Sequence, residues 1–267
     1  MKQTLLFLAM MACMLTGCTK QKVLVLYYSQ TGTTQALAEE LQRQLGADIE
    51  QIEAVVPYDG DFGATIERSG KERESGVVPE IKPIQANLAD YDVIFIGYPI
   101  WFGTYAMPIA TLVKENDFEG KTIVPFCTFG SGGLGSSTEA LKEALPKANV
   151  KQGYGVRQAR IEAAPKELER FLIENGFKKG NVAPLPEYSE QVPVSEEDSL
   201  IFDAACSGYQ FPLGTPVTVG KRETDESTDY KFTAKSLGFD GKEGTSTVFI
   251  TARKDAEAKP EFTEVVR

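Results

Sequence analysis

The chain has 267 residues, 42% of them hydrophobic and 25% charged, with a net charge of −10 at pH 7. That length holds one large or two modest domains, and the acidic balance argues against nucleic acid or an anionic lipid surface as a primary partner. Histidine is absent, which removes Ser-His-Asp and Cys-His catalysis and histidine-ligated metal sites. Chemistry therefore falls to a cofactor or to other acid–base groups.

Residues 1–18 read as a targeting segment. Lys2 supplies a positive start, and residues 5–15 form an apolar run too short to span a bilayer as a mature helix. Leu15-Thr16-Gly17-Cys18 has the form of a bacterial lipoprotein cleavage box. It predicts a lipidated Cys18 that anchors the protein outside the cytoplasm, on the periplasmic side of the cell envelope, with the membrane as a partner through that anchor. Only Thr19 to Lys22 separate Cys18 from the first strand, at most about 14 Å of chain. The far edge of the first domain should then face away from the lipid. With Cys13 lost, Cys127 and Cys206 are expected to be unrelated buried thiols rather than a disulfide.

Val23 to Leu26 are consecutive apolar residues, as in a parallel strand buried on both faces. The turn Ser29-Gln30-Thr31-Gly32-Thr33-Thr34 opens a helix carrying Leu37, Leu41 and Leu45 and stopped by Gly46. Such a turn offers backbone N–H groups and the positive end of the helix dipole to an anion. It contains no Lys or Arg, so a phosphate there would meet neutral donors. Residues 47–56 read as a second, outer strand. The long stretch 57–84 holds an Asp59-Gly60 turn and a charged run, 66–75, with the character of a solvated helix. Strands follow at 92–97, 121–127 and 150–156, and helices at 107–114, 137–145 and 166–175. This alternation predicts an α/β doubly wound parallel sheet of five strands over residues 22–177.

Residues 178–194, with Gly180, Pro184, Pro186 and Pro193, form a semi-rigid linker. A small α+β domain follows at 195–267. Ser195-Glu-Glu-Asp198 is a capping-box pattern opening a helix that carries Leu200, Ile201 and Ala204 and ends at Gly208. Four alternating stretches, 217–221, 230–235, 245–253 and 262–266, are separated by the polar residues 223–228 and by Asp240-Gly241. They predict an antiparallel four-stranded sheet under one helix, small enough to lean on the first domain.

Three segments should meet at the carboxyl edge of the first sheet, where such folds bind ligands. The first is the 29–34 turn. The second is Gly97-Tyr98-Pro99-Ile100-Trp101-Phe102-Gly103-Thr104, with the only tryptophan of the chain. The third is Cys127-Thr128-Phe129-Gly130-Ser131-Gly132-Gly133-Leu134-Gly135. Gly130, Gly132 and Gly135 satisfy G-x-G-x-x-G, yet residues 150–160 contain no Asp or Glu to hold a ribose. The run also follows the fourth strand rather than the first, so a dinucleotide is rejected. No Gly-Lys-Ser/Thr follows either, which excludes a Walker A loop.

Together these motifs resemble the flavodoxin family, most closely its compact bacterial branch, with a GYPIWxG loop at 97–103 and a PFCT…G-rich loop at 125–133. The resemblance covers residues 22–177. It implies the strand order 2-1-3-4-5 and flavin mononucleotide (FMN) as cofactor. It assigns Ser29, Gln30, Thr31, Gly32, Thr33 and Thr34 to the phosphate. Pro99, Ile100, Trp101, Phe102, Gly103 and Thr104 would contact the ring, with Trp101 stacked on it and the 102–103 backbone at N5. Thr128, Phe129, Gly130, Ser131, Gly132 and Gly133 would line its other edge. Relatives often stack a second aromatic on the ring, and only Phe129 is available for that in the third loop. The implied function is electron transfer to a redox partner protein or small acceptor. Two alternatives are an FMN-dependent NAD(P)H reductase of quinones or nitro compounds, and a non-redox binding module with a vestigial flavin site. No catalytic side chain, metal or nucleic acid is expected.

Overall fold

The computed structural model describes residues 21–58, 61–211, 213–237, 242–255 and 258–266. The proposed Cys18 anchor and the Asp59-Gly60 and Asp240-Gly241 turns lie outside them. Strand β1 (Val23–Tyr27) lies inside a parallel sheet between β2 (Asp48–Gln51) and β3 (Val93–Trp101). A short β4 (Thr104–Tyr105) folds back on the end of β3. Next comes β5 (Thr122–Phe129), whose far side pairs with β6 (Asn149–Val150) and then β7 (Tyr154–Arg157). Counting β6 and β7 as one interrupted strand, the order is the expected 2-1-3-4-5.

Continuous apolar runs make the inner strands buried on both faces. One face carries Val25, Phe95 and Phe126 under Leu37 and Leu41 of α1 (Thr33–Leu45) and Leu168 and Leu172 of α5 (Ala164–Glu174). The other carries Leu24, Ile94 and Ile96 under Ile109 and Leu112 of α3 (Met107–Glu115) and Leu141 of α4 (Ser137–Ala144). Helices on both faces leave only the strand ends open, which is why function collects there. The charged run does form a solvated helix, α2 (Phe62–Ser75), capped by the Asp61 carboxylate accepting from the Ala64 N–H at 2.9 Å. Only Thr65 and Ser69 of it are buried.

Three expectations are corrected. The second strand stops at Gln51, and beyond it Ala54 bridges Ile81 in a separate antiparallel contact. The fifth strand is split at residues 151–153. The Ile123 carbonyl accepts from Lys151 at 2.8 Å, so Pro125, two residues on, faces the same neighbour and has no N–H to give it. The ladder restarts at Phe126. Finally, the linker is not independent of the second unit: its end, β8 (Val192–Pro193), pairs with β9 (Thr215–Glu223).

The second unit is thus an antiparallel sheet of five strands, ordered β12-β11-β10-β9-β8, with β10 (Ser227–Leu237), β11 (Glu243–Arg253) and β12 (Glu261–Val266). The strands are longer than the sequence predicts because their ends are polar and carry no alternation. One helix, α6 (Glu196–Cys206), covers the sheet, and Phe202 sits on Phe232, Val248, Ile250 and Phe262. The capping box forms: the Ser195 hydroxyl accepts from the Asp198 N–H at 3.2 Å, and Asp198 accepts from the Ser195 N–H at 3.2 Å. Cys127 and Cys206 are free thiols. Burial pushes Cys206 up to about 12 and Cys127 higher, so neither is a ready thiolate at neutral pH.

Candidate functional site at the carboxyl edge

The first loop builds an uncapped helix start. Gly32 is the N-cap of α1 at φ 87°, a left-handed conformation that glycine adopts without strain, and no side chain caps the helix. The Gly32 N–H itself goes to the Ser29 hydroxyl at 3.1 Å. The first-turn N–H groups of Thr33, Thr34 and Gln35 have no acceptor within the helix. Open space surrounds Gly32, with no atom within 4 Å of where a Cβ would stand. Not every residue of the turn is available. The buried Thr34 hydroxyl is tied to the Thr128 hydroxyl at 2.8 Å, joining the first loop to the third across 94 residues. Gln30 accepts from the Tyr28 hydroxyl at 2.5 Å and donates to the Tyr58 carbonyl, so its side chain is an internal brace.

The second segment is a hairpin rather than an open loop. Ile100 pairs with Tyr105 and Trp101 with Thr104. Phe102 at φ 50° and Gly103 at φ 75° form the two-residue turn, the paired positive φ of a type I′ turn. A phenylalanine there costs about 1–2 kcal/mol, and strain of this kind collects at functional sites. The Gly103 carbonyl is held by the Ser136 N–H at 3.0 Å and the Ser136 hydroxyl at 3.1 Å, which fixes the turn against the end of the third loop.

Two of the aromatics expected at the ring are buried here. Trp101 is 8% exposed, meeting Tyr28 at 83° and Tyr58 at 61°, with centroids at 5.8 and 5.0 Å. The two tyrosines hold it in the core cluster on that face of the sheet. Phe129 is likewise buried in the core. The aromatic that projects is Phe102, 51% exposed, leaning toward Gly70 and Arg73 of α2. Tyr58, which no motif reveals, packs on Trp101, and its carbonyl accepts from Gln30. Arg68 lies over its ring at 3.8 Å, and its hydroxyl donates to Glu72 at 2.5 Å. Burial raises the Tyr28 and Tyr58 phenols well above their usual range, with Glu72 adding to the effect at Tyr58, so both stay protonated donors.

The third loop contributes exposed Gly130 and Gly132, with open space at both. Gly133 is covered: a Cβ on it would stand 1.8 Å from a carboxylate oxygen of Glu264, on β12. Burial raises the Glu264 carboxyl above the ordinary range. The Thr104 hydroxyl is buried and has no hydrogen-bond partner among the described residues. A buried polar atom without a partner on the second segment, with an uncapped helix start on the first and exposed glycines on the third, fits a ligand bringing its own polar atoms. The chemistry also fits a phosphate at one end and a polar-edged ring at the other.

Comparison with known proteins agrees with this architecture. The family model described as Flavodoxin matches residues 22–170. The chain belongs to the flavodoxin family. A protein from Bacteroides uniformis, described as a flavoprotein, is 30% identical over 57% of this chain and 99% of its own, with a TM-score of 0.51. One from Bacteroides eggerthii, also described as a flavoprotein, is 35% identical over 56% and 98%, with a TM-score of 0.48. A flavoprotein of Lactobacillus acidophilus solved in complex with FMN is 23% identical over 56% and 97%, with a TM-score of 0.48. These matches cover 56–57% of this chain.

Proposed function

We propose that the carboxyl edge binds FMN and that the protein is an electron carrier exchanging electrons with a redox partner or small acceptor. The observation that carries this is the joining of three loops at one edge, through the Thr34–Thr128 and Ser136–Gly103 bonds, around an uncapped helix start and the open Thr104 hydroxyl. FMN supplies one- and two-electron chemistry when bound; the protein positions and tunes it. The N–H groups of residues 33–35 hold the phosphate. Phe102 covers ring surface, and the Phe102–Gly103 peptide and the Thr104 hydroxyl meet its polar edge.

One observation favours a second reading, an FMN-dependent NAD(P)H reductase. With Phe129 buried, the third loop offers no stacking aromatic, which leaves one ring face open to a second substrate. The purified chain is expected to be yellow, or to take up added FMN stoichiometrically. A colourless protein that takes up none overturns the flavin assignment. NADH oxidation that depends on added quinone selects the reductase over the carrier.

The lipid anchor at Cys18 gives the site a direction. β1 begins at the edge opposite the loops, so the short tether holds that edge toward the lipid. Trp101 emission in the membrane-bound protein should be indifferent to quenchers buried in the bilayer. Strong quenching contradicts this orientation.

A further inference from the structure

We infer that the C-terminal sheet is a working wall of the flavin site: strand β12 clamps the glycine-rich third loop, with Arg157 as a positioning residue. The inference rests on the flavin reading above and joins residues inside the stretch that the family model matches, Arg157 among them, to strand β12, which lies beyond its end at 170.

The third loop cannot hold its own shape. Glycine at 130, 132, 133 and 135 leaves it with large conformational freedom. Its restraint comes from elsewhere in the chain. The Val265 N–H of β12 donates to the Ser131 carbonyl at 2.9 Å. Arg157, at the end of β7, donates to the Gly130 carbonyl at 2.7 Å and to the Phe262 carbonyl at 3.1 Å, stitching loop and strand together. Its guanidinium also lies 4.4 Å from the Phe262 ring centroid. The Glu264 side chain rests on Gly133, where any Cβ would collide.

The strand is itself locked to the first unit. Arg160, nearly inaccessible, bonds Glu261 at 2.9 Å and Glu167 of α5 at 2.6 Å. Both carboxylates are partly exposed, at 38% and 31%, and they meet on one buried guanidinium that belongs to the first unit. Loop, strand and sheet therefore move together, and the ring-edge loop keeps its shape only while β12 is docked. This gives the small unit a role in the site: it preorganises the loop, which saves ordering entropy when the ligand arrives.

The test titrates the full chain with FMN and with riboflavin, reading flavin fluorescence. In Arg157→Met, affinity for both flavins should fall about tenfold, with their ratio unchanged, because the clamp acts at the ring and not at the phosphate. Arg157→Lys should recover part of the loss, since an ammonium can still reach one carbonyl. Val265→Pro, which deletes the N–H given to Ser131, should weaken both flavins alike. Amide exchange at residues 130–133 should quicken in Arg157→Met without flavin. A wild-type chain that binds neither flavin overturns the flavin reading. Wild-type binding with both variants unchanged, a loss confined to FMN, or unaltered exchange overturns the clamp alone.

Discussion

Gly135→Ala should lower FMN affinity on the order of 100-fold while leaving the fold intact. Gly135 sits at φ 54°, and a Cβ there would stand 2.5 Å from the Gly103 carbonyl oxygen and 3.2 Å from its carbon. The obstacle is backbone, so no rotamer relieves it. The same carbonyl accepts both bonds from Ser136. Alanine therefore adds about 1–2 kcal/mol of left-handed strain and forces the Phe102–Gly103 turn away from the third loop, at a cost of about 1 kcal/mol for each bond lost. The turn carries the peptide assigned to the ring's polar edge, and a displaced turn no longer meets it. Flavin titration of the variant beside wild type is the measurement. Equal affinities would remove the hairpin from the proposed site. Circular dichroism of the variant should match wild type, because Gly135 is exposed and lies outside both helical layers.

Gly97→Ala should destabilise the first unit by about 3 kcal/mol, a fall in Tm of roughly 6–12 °C. Gly97 pairs with Tyr27 on one side and Phe126 on the other, at the centre of the sheet. The Phe126 ring lies across it, and an added Cβ would stand 2.1, 2.4 and 2.7 Å from three ring carbons. Phe126 is 1% exposed and surrounded by core, so it cannot swing away without opening a void. The Gly97 carbonyl also accepts the Tyr28 N–H at 2.9 Å, so strain there passes into the first loop. The double variant Gly97→Ala with Phe126→Leu should regain part of the loss, and thermal unfolding of all three reads the coupling. Strictly additive losses would mean that the ring and the glycine do not share one space.

The sheet was legible because its evidence is local. Four consecutive apolar residues at 23–26 can only be buried on both sides, and the Leu37, Leu41, Leu45 spacing is that of one helix face. The 29–34 turn was legible for the same reason, since Gly32 and its neighbours define a helix start by themselves. The hairpin at 102–103 was not. Its turn needs positive φ at Phe102, and phenylalanine carries no sequence signal for that conformation. Trp101 also read naturally as a ring cover, since a lone tryptophan between glycines at a ligand edge suits that role. Its inward turn follows from Tyr28 and Tyr58, which come from segments 73 and 43 residues earlier in the chain.

By itself, the sequence determined the order of strands and helices, the hydroxyl-rich helix start, the glycine-rich third loop and the absence of histidine chemistry. Each is written in a short window, because periodicity, capping and turn residues act within a few positions of one another. Only the tertiary structure decided which groups remain free for a ligand. It tied Thr34 to Thr128, turned Trp101 inward and Phe102 outward, left the buried Thr104 hydroxyl without a partner among the described residues, and brought Val265 and Glu264 against Ser131 and Gly133. Those outcomes depend on packing between segments far apart in the chain, and no local pattern encodes a contact whose two halves are specified separately.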